Sequence, residues 1–144
     1  MDSSTNSGGY FFGEAVLRRI GNLYLFALED DFAYYTQDGL EVAIQRGYLT
    51  DLASTPRLTW AVFPPDDPNY ADASVVHDFL YSSHLLPRDR ADSILREAAA
   101  ASGCHAVRRG IVWAAVRIGG ARKYATGPAR QHERIKKARD AGWL

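Results

Sequence analysis

Short apolar runs separated by turn residues fill the first third of the chain. Between residues 10 and 48 the apolar positions are largely aromatic and β-branched, as in Leu23–Glu29 and Phe32–Gln37. Asp38-Gly39 stands directly before another apolar run, and an aspartate-glycine pair in this position is a strong hairpin signal. The pattern therefore predicts antiparallel strands joined by tight turns, in the form of a β-meander.

The pattern changes in the second half of the chain, where helices are predicted. A short helix is expected from Pro56, followed by the proline-rich loop Phe63–Asn69. Three longer helices are then predicted: Tyr70–Leu86, a second from Arg88 or Asp89 to Ser102-Gly103, and Ala106–Tyr124 with a weak point at Gly119-Gly120. Strands first and helices afterwards indicate the α+β class, with an N-terminal antiparallel β-meander followed by about three helices packed on it.

The length of 144 residues suits one domain with one core. We expect residues 1–9 to be a disordered N-terminal segment, residues 10–125 to form the single α+β domain, and residues 126–144 to form a basic helical tail. Basic residues dominate from Arg117 onward, and such charge runs usually solvate a surface rather than bind phosphate.

Charge and cysteine content narrow the range of partners. Lysines and arginines (17) balance aspartates and glutamates (17), so the overall field predicts no membrane partner and no duplex nucleic acid. Cys104 is the only cysteine, which excludes a disulfide framework and a thiolate metal cluster. Residues 1–9 lack the basic start and apolar centre of a signal peptide. These observations predict a protein of the cytoplasm.

The helix predicted from Tyr70 carries the first candidate side chains. His77, Tyr81 and His84 follow a four-then-three spacing, which places them on one helix face. His77 and His84 lie about 10 Å apart along the axis, too far for both to bind one metal ion. Asp78 points about 100° away from His77, toward a different neighbour. Taken alone, His77 is more simply explained as a buried histidine bonded to a backbone carbonyl.

Two further groups of polar residues are candidates to contact this helix. The first is the segment of residues 46–57, in which helix capping explains one short polar side chain but hardly all of them. The second lies at the start of the next helix, where Asp92 is expected to accept a hydrogen bond from His77 or Arg57. Together these sets add Thr50, Asp51, Ser54, Arg57, Arg88 and Asp92 to the candidates.

This inventory suits general acid–base chemistry on an anionic substrate. The candidate catalytic residues are His77, Asp78, Asp51 and Asp92, and the candidate substrate-binding residues are Arg57, Thr50, Ser54, Tyr81, Arg88 and Trp60. The same residues would equally suit a buried hydrogen-bond network that fastens helix to sheet. No nucleophile elbow, phosphate-binding glycine loop or metalloprotease helix is present.

No cofactor and no metal are expected, because arginines beside carboxylates already supply the positive charge. The alternative is a divalent metal. In that case Asp51, His77, Asp78 and Asp92 would be its ligands, and such a nitrogen and oxygen set suits manganese, magnesium or zinc.

Three motifs carry a family resemblance: GYLTDLASTPR (residues 47–57), ADASVVHDFLY (residues 71–81) and RDRAD (residues 88–92). With these motifs in this order, the sequence resembles the DUF1353 family of phage and prophage proteins over roughly Gly47 to Tyr124. The resemblance implies a phage origin, location in the host cytoplasm, and a motif set around the residues named above, but no assigned activity.

Within a phage setting, the residues suggest three functions. The first is an anti-defence hydrolase, phosphodiesterase-like, which acts on a small anionic nucleotide such as a cyclic dinucleotide. The second is a non-catalytic protein that sequesters such a signal, most simply as a homo-oligomer, with Tyr48, Trp60, Phe63 and Tyr70 stacking on bases. The third is a virion assembly or structural protein in which the polar cluster only holds the fold.

Overall fold

The structure is a computed structural model that describes residues 8–51, 67 and 70–144. These residues form six short strands and then five helices. The strands are β1 (Tyr10–Phe12), β2 (Leu17–Arg19), β3 (Phe26–Leu28), β4 (Phe32–Tyr35), β5 (Glu41–Ile44) and β6 (Leu49–Thr50). The helices are α1 (Ala71–Ser83), α2 (Arg88–Ala101), α3 (Ala106–Gly119), α4 (Ala121–Ala125) and α5 (Gly127–Asp140).

The predicted α+β class is confirmed, but the strands do not form one meander. They form two antiparallel sheets of three strands each, in the orders β1-β4-β5 and β2-β3-β6. The predicted hairpin is present: β4 pairs with β5 around the Asp38-Gly39 turn, and Gly39 has the positive φ of 89° that favours glycine. A periodicity of two identifies strands but does not identify their pairing partners, so the interleaving of β1 and β2 with later strands could not be read from it.

The helices pack over the sheets around one main core. Helix α1 is central, because it contacts α2, α4, α5, β5 and β6. Its side chains are buried on nearly every face, including Val75, Val76 and Leu80. An amphipathic pattern is correspondingly weak in α1, as expected for a helix enclosed on all sides.

The predicted third helix divides in two at its glycine pair. Helix α3 ends at Gly119, and Gly120 is both the C-cap of α3 and the N-cap of α4. A Cβ at Gly120 would collide with the carbonyl oxygen of Val116 and with the hydroxyl of Tyr81. Only glycine therefore permits this approach of the α3–α4 corner to α1.

The C-terminal basic segment is helical, and part of it enters the core. Helix α5 packs against α1 and β6, and it buries Arg134 and Ala138. The expectation that basic residues from Arg117 onward only solvate a surface is therefore wrong for Arg134. Each helix in the described ranges lacks either the length or the apolar character that crossing a bilayer requires.

The predictions that concern residues 1–7, 52–66 and 68–69 lie outside the described residues. They comprise most of the N-terminal segment of residues 1–9, the short helix from Pro56 and nearly all of the loop Phe63–Asn69.

Candidate functional site

Helix α1 presents two pairs of polar side chains in two different directions. His77 and Tyr81, one turn apart, face Asp92 of α2, whereas Asp78 and Ser82 face Tyr48 and helix α5. Since consecutive helical residues diverge by about 100°, neighbours in sequence reach different partners. The result is two separate polar clusters on one helix.

The first cluster is centred on the carboxylate of Asp92. Its Oδ1 accepts hydrogen bonds from His77 Nε2 at 2.9 Å and from the hydroxyl of Tyr81 at 2.6 Å. Its Oδ2 accepts a hydrogen bond from Arg117 Nη1 of α3 at 2.8 Å. The expected contact between His77 and Asp92 is thus confirmed, and Asp92 joins α1, α2 and α3.

Arg88 contributes to this cluster mainly through the backbone of α3. Its Nη2 donates to the carbonyl oxygens of Val116 at 2.9 Å and of Arg117 at 2.6 Å. Its Nε lies 3.8 Å from Asp92 Oδ2. Because these carbonyls lie in the last turn of α3, Arg88 provides the positive charge and the donors that a helix C-terminus favours.

The environment keeps Asp92 ionised although it is fully buried. Burial would raise the pKa of Asp92, but hydrogen bonds from His77 and Tyr81 and the Arg117 guanidinium lower that pKa below its usual value. Burial and the neighbouring Asp92 carboxylate raise the pKa of Tyr81, which therefore stays a donor. The ionised carboxylate is consistent with His77 Nε2 acting as the donor toward it.

The second cluster is centred on Asp78. Arg134 donates from Nη1 to Oδ2 at 2.9 Å and from Nη2 to Oδ1 at 3.1 Å, which is a two-pronged contact. The hydroxyl of Tyr48 donates to Asp78 Oδ2 at 2.6 Å and lies 2.8 Å from Ser82 Oγ. Thr50 of β6 also hydrogen-bonds to Asp78.

Arg134 is the reason why a carboxylate can be buried here. Burial alone would raise the pKa of Asp78, but the Arg134 guanidinium and the hydrogen bonds from Tyr48 and Thr50 lower it below its usual value. Burial raises the pKa of Tyr48 well above its usual value, as does the negative charge of Asp78. The arrangement at pH 7 is therefore a carboxylate and a guanidinium with a neutral phenol.

Asp51 extends this second cluster toward the surface. It accepts a hydrogen bond from Arg134 Nη2, and its side chain retains 27 % exposure. Arg134 also binds the side-chain oxygen of Gln131 at 2.9 Å and approaches the carbonyl oxygen of Leu49. One guanidinium thus joins helix α5 to α1 and to the end of β6.

The structure places the described members of the predicted site in two separate clusters. His77, Tyr81, Arg88 and Asp92 lie in the first cluster, and Thr50, Asp51 and Asp78 lie in the second. Ser54, Arg57 and Trp60 lie outside the described residues, as does Phe63. The described residues therefore do not bring Asp51, Asp78 and Asp92 together in a single site.

Tyr48 and Tyr70, the two described residues of the set expected to stack on a ligand, make other contacts in the structure. Tyr48 contacts Phe79 edge-on, with ring centroids 5.5 Å apart, and commits its hydroxyl to Asp78. Tyr70 is 1 % exposed and belongs to the core. Tyr70 therefore presents no open face on which a ligand could stack.

Two arginines were missed as site residues. Arg117 and Arg134 were assigned to a solvated basic segment, yet they are the cations that meet Asp92 and Asp78. A signal existed for Arg134: it stands between Glu133 and Ile135 at a position that shares a face with Ala138, four residues on. That face is the buried one.

Among the described residues, no group of three histidine, cysteine, aspartate or glutamate side chains is arranged to hold a metal ion. His77 and Asp78 face different clusters, and Asp51 and Asp92 are likewise divided between the two. The ligand set named from the sequence is therefore not assembled at one point.

An open cavity of about 420 Å³ borders the second cluster. Its described lining comprises Ala43, Gln45, Arg46, Tyr48 and Phe79. Tyr48 belongs to both, since its ring lines the cavity and its hydroxyl binds Asp78. Arg46 gives the cavity a positive charge.

Fold and clusters together define an α+β protein in which the enclosed helix α1 borders two buried carboxylates, its own Asp78 and Asp92 of α2, and each is paired with an arginine from a later helix. The chain belongs to the DUF1353 family: residues 26–116 match the family described as "Protein of unknown function (DUF1353)". The match begins at β3, earlier than the motifs, and ends within α3, before Arg117 and Arg134. No curated protein and no solved structure matches the chain.

Proposed function

We propose that this protein is non-catalytic and serves as a structural or assembly protein of a phage, the origin that the family resemblance implies. The observation that carries the proposal is burial: His77, Asp78 and Asp92 are each 0 % exposed. A general acid or base must reach its substrate within hydrogen-bond distance. His77 and Asp92 instead bind each other inside the protein, and Asp78 binds Arg134 and Tyr48.

The neutralisation of both buried carboxylates also supports a structural role. Both buried carboxylates already have an arginine and a tyrosine hydroxyl as partners. Satisfied polar networks of this kind rigidify a domain and fix one packing of its helices. A fixed packing suits a subunit whose surfaces must meet partners in a defined geometry.

The first test compares turnover with stability. Purified protein is incubated with a panel of cyclic nucleotides, with and without divalent metal, and the products are read by chromatography. We expect no consumption, and we expect His77→Ala to lose stability. Turnover that is abolished in a folded, equally stable His77→Ala protein would overturn the proposal.

The second test concerns the assembly role itself. Deleting the gene from the phage that carries it is expected to lower the yield of complete particles while genome replication continues. Supplying the wild-type gene in trans is expected to restore the yield. Normal particle yield and composition after deletion would contradict an assembly role.

A second candidate function is the anti-defence hydrolase, phosphodiesterase-like, acting on a small anionic nucleotide such as a cyclic dinucleotide in the host cytoplasm. The observation that favours it is the pair of His77 and Asp92. A carboxylate that fixes the orientation of an imidazole at 2.9 Å is the arrangement that histidine bases use. The turnover assay above decides between the two functions.

Sequestration of such a nucleotide without cleavage is tested separately, by calorimetry. The cavity beside Tyr48 combines two aromatic rings with Arg46, which suits a small anionic aromatic ligand. Ligand bound in calorimetry and recovered intact after denaturation would indicate sequestration. Loss of that binding in Arg46→Ala would assign it to the cavity.

A further inference from the structure

Helix α3 exposes large aliphatic side chains on the side that faces away from the core. Val107, Ile111 and Ile118 are 63 %, 44 % and 88 % exposed. On the opposite side of the same helix, Val112 and Val116 are buried. The helix is therefore apolar on two faces, and only one of them is covered in the described chain.

The three exposed positions, together with the half-buried Ala114, have the spacing of a helix-packing seam. Val107, Ile111, Ala114 and Ile118 follow intervals of four, three and four residues. These are the intervals at which one α-helix contacts another along a left-handed crossing. Exposed apolar side chains that are contiguous rather than scattered mark interaction surfaces. We call these four residues the α3 seam.

The chain around the α3 seam is uniformly basic. From residue 98 to residue 132 the sequence contains no aspartate or glutamate. The basic residues in this stretch are Arg108, Arg109, Arg117, Arg122, Lys123 and Arg130. Arg117 is paired with Asp92, but the stretch as a whole keeps a net positive charge, which favours a partner with negative charge.

We propose that the α3 seam binds an amphipathic helix of a partner protein, with an apolar stripe flanked by aspartates or glutamates. The seam spacing selects a helix, because the intervals match helical ridges. The basic flanks select an acidic one. A second copy of this chain fits less well, since pairing two α3 helices would bring their basic surroundings together. The inference goes beyond the assembly role and does not depend on it.

The test uses a synthetic probe of stated chemistry. The probe is a three-heptad peptide with leucine and isoleucine at its seam positions and glutamate at the flanking positions. Its control carries lysine in place of every glutamate. Binding to the full chain is measured by fluorescence anisotropy at peptide concentrations where the peptide alone is monomeric. We expect the acidic peptide to bind at least tenfold more tightly than the basic one.

Matched variants locate the binding. Ile111→Glu is expected to weaken binding of the acidic peptide at least tenfold. Leu144→Glu makes the same kind of change at an exposed residue outside α3 and is expected to leave binding unchanged. Circular dichroism and thermal midpoints establish that both variants are folded.

Four outcomes would overturn the proposal. One is failure of the acidic peptide to bind at all, and another is equal binding of both peptides. A third is binding to vesicles of anionic phospholipid that Ile111→Glu abolishes while neither peptide binds. The fourth is a dimer in sedimentation that Ile111→Glu dissociates, which would make the partner a second copy of this chain.

Discussion

Arg134 donates to both carboxylate oxygens of Asp78 across a sequence separation of 56 residues. Both side chains are buried, so neither charge is solvated by water. Moving a charge out of water is costly unless a partner compensates it. The pair therefore couples the position of helix α5 to that of α1.

Removing the guanidinium is expected to destabilise the fold strongly. Arg134→Ala would leave Asp78 buried without its cation, and breaking a buried pair in this way costs about 3–5 kcal/mol. Urea denaturation followed by circular dichroism measures the loss. Arg139→Ala, an exposed arginine of the same helix, is the control and is expected to change stability by less than about 0.5 kcal/mol. Similar losses for both variants would show that the Asp78 pair does not hold α5.

Replacing both members of the pair is expected to cost less than removing one. In Asp78→Leu with Arg134→Met, no fully buried charge is left unpaired, because Asp51, the other partner of Arg134, is partly exposed, and apolar replacements of buried ion pairs are often neutral or stabilising. The double variant should therefore be more stable than Arg134→Met alone and than Asp78→Leu alone. A double-mutant cycle by urea denaturation measures the coupling. Additive losses would contradict direct coupling of the two side chains.

Stability is expected to fall in acid because of the two buried carboxylates. The pKa values of Asp78 and Asp92 are lowered in the folded state, so each contributes stability that is present above its unfolded pKa. That stability is lost as the pH falls below about 4 and through the folded pKa values. The free energy of unfolding as a function of pH measures this. Asp92→Asn should flatten the decline below about pH 4, and an unchanged slope would count against Asp92 as a source of it.

His77 is expected to contribute to stability through Asp92. In His77→Ala, the Asp92 carboxylate loses one of its buried donors, and an unsatisfied buried partner costs about 1–3 kcal/mol. His132→Ala, at an exposed position of α5, is the matched control and should leave the free energy of unfolding nearly unchanged. If His77→Ala is as stable as the wild type, the polar cluster is not what holds α1 to α2.

The sequence predicted more of the helices than of the sheets. Helix α2 is followed by Gly103 at a φ of 88°, as its glycine stop indicated, and Gly119-Gly120 marks a real break between α3 and α4. Local signals of this kind act within a few residues and can be read directly. The pairing of β1 with β4 depends on contacts distant in sequence, and no local signal specifies it.

The candidate site was predicted in part for the same reason. Helical spacing showed that His77 and Asp78 must reach different neighbours, and the structure gives them Asp92 and Arg134. The motifs contain Arg57 and Arg88, either of which could pair with a carboxylate, so nothing in the motifs themselves requires a cation from the C-terminal half. A charge run indicates solvent on average, and it does not indicate which of its members turns inward.

The late position of Arg134 has a consequence for biosynthesis. A chain leaves the ribosome N-terminus first, so Asp78 emerges well before the arginine that neutralises it. During that interval α1 carries a carboxylate that favours water over the core. We therefore expect helix α1 to reach its final surroundings only after α5 has been synthesised, and nascent chains that stop before residue 134 to remain open and sensitive to proteases.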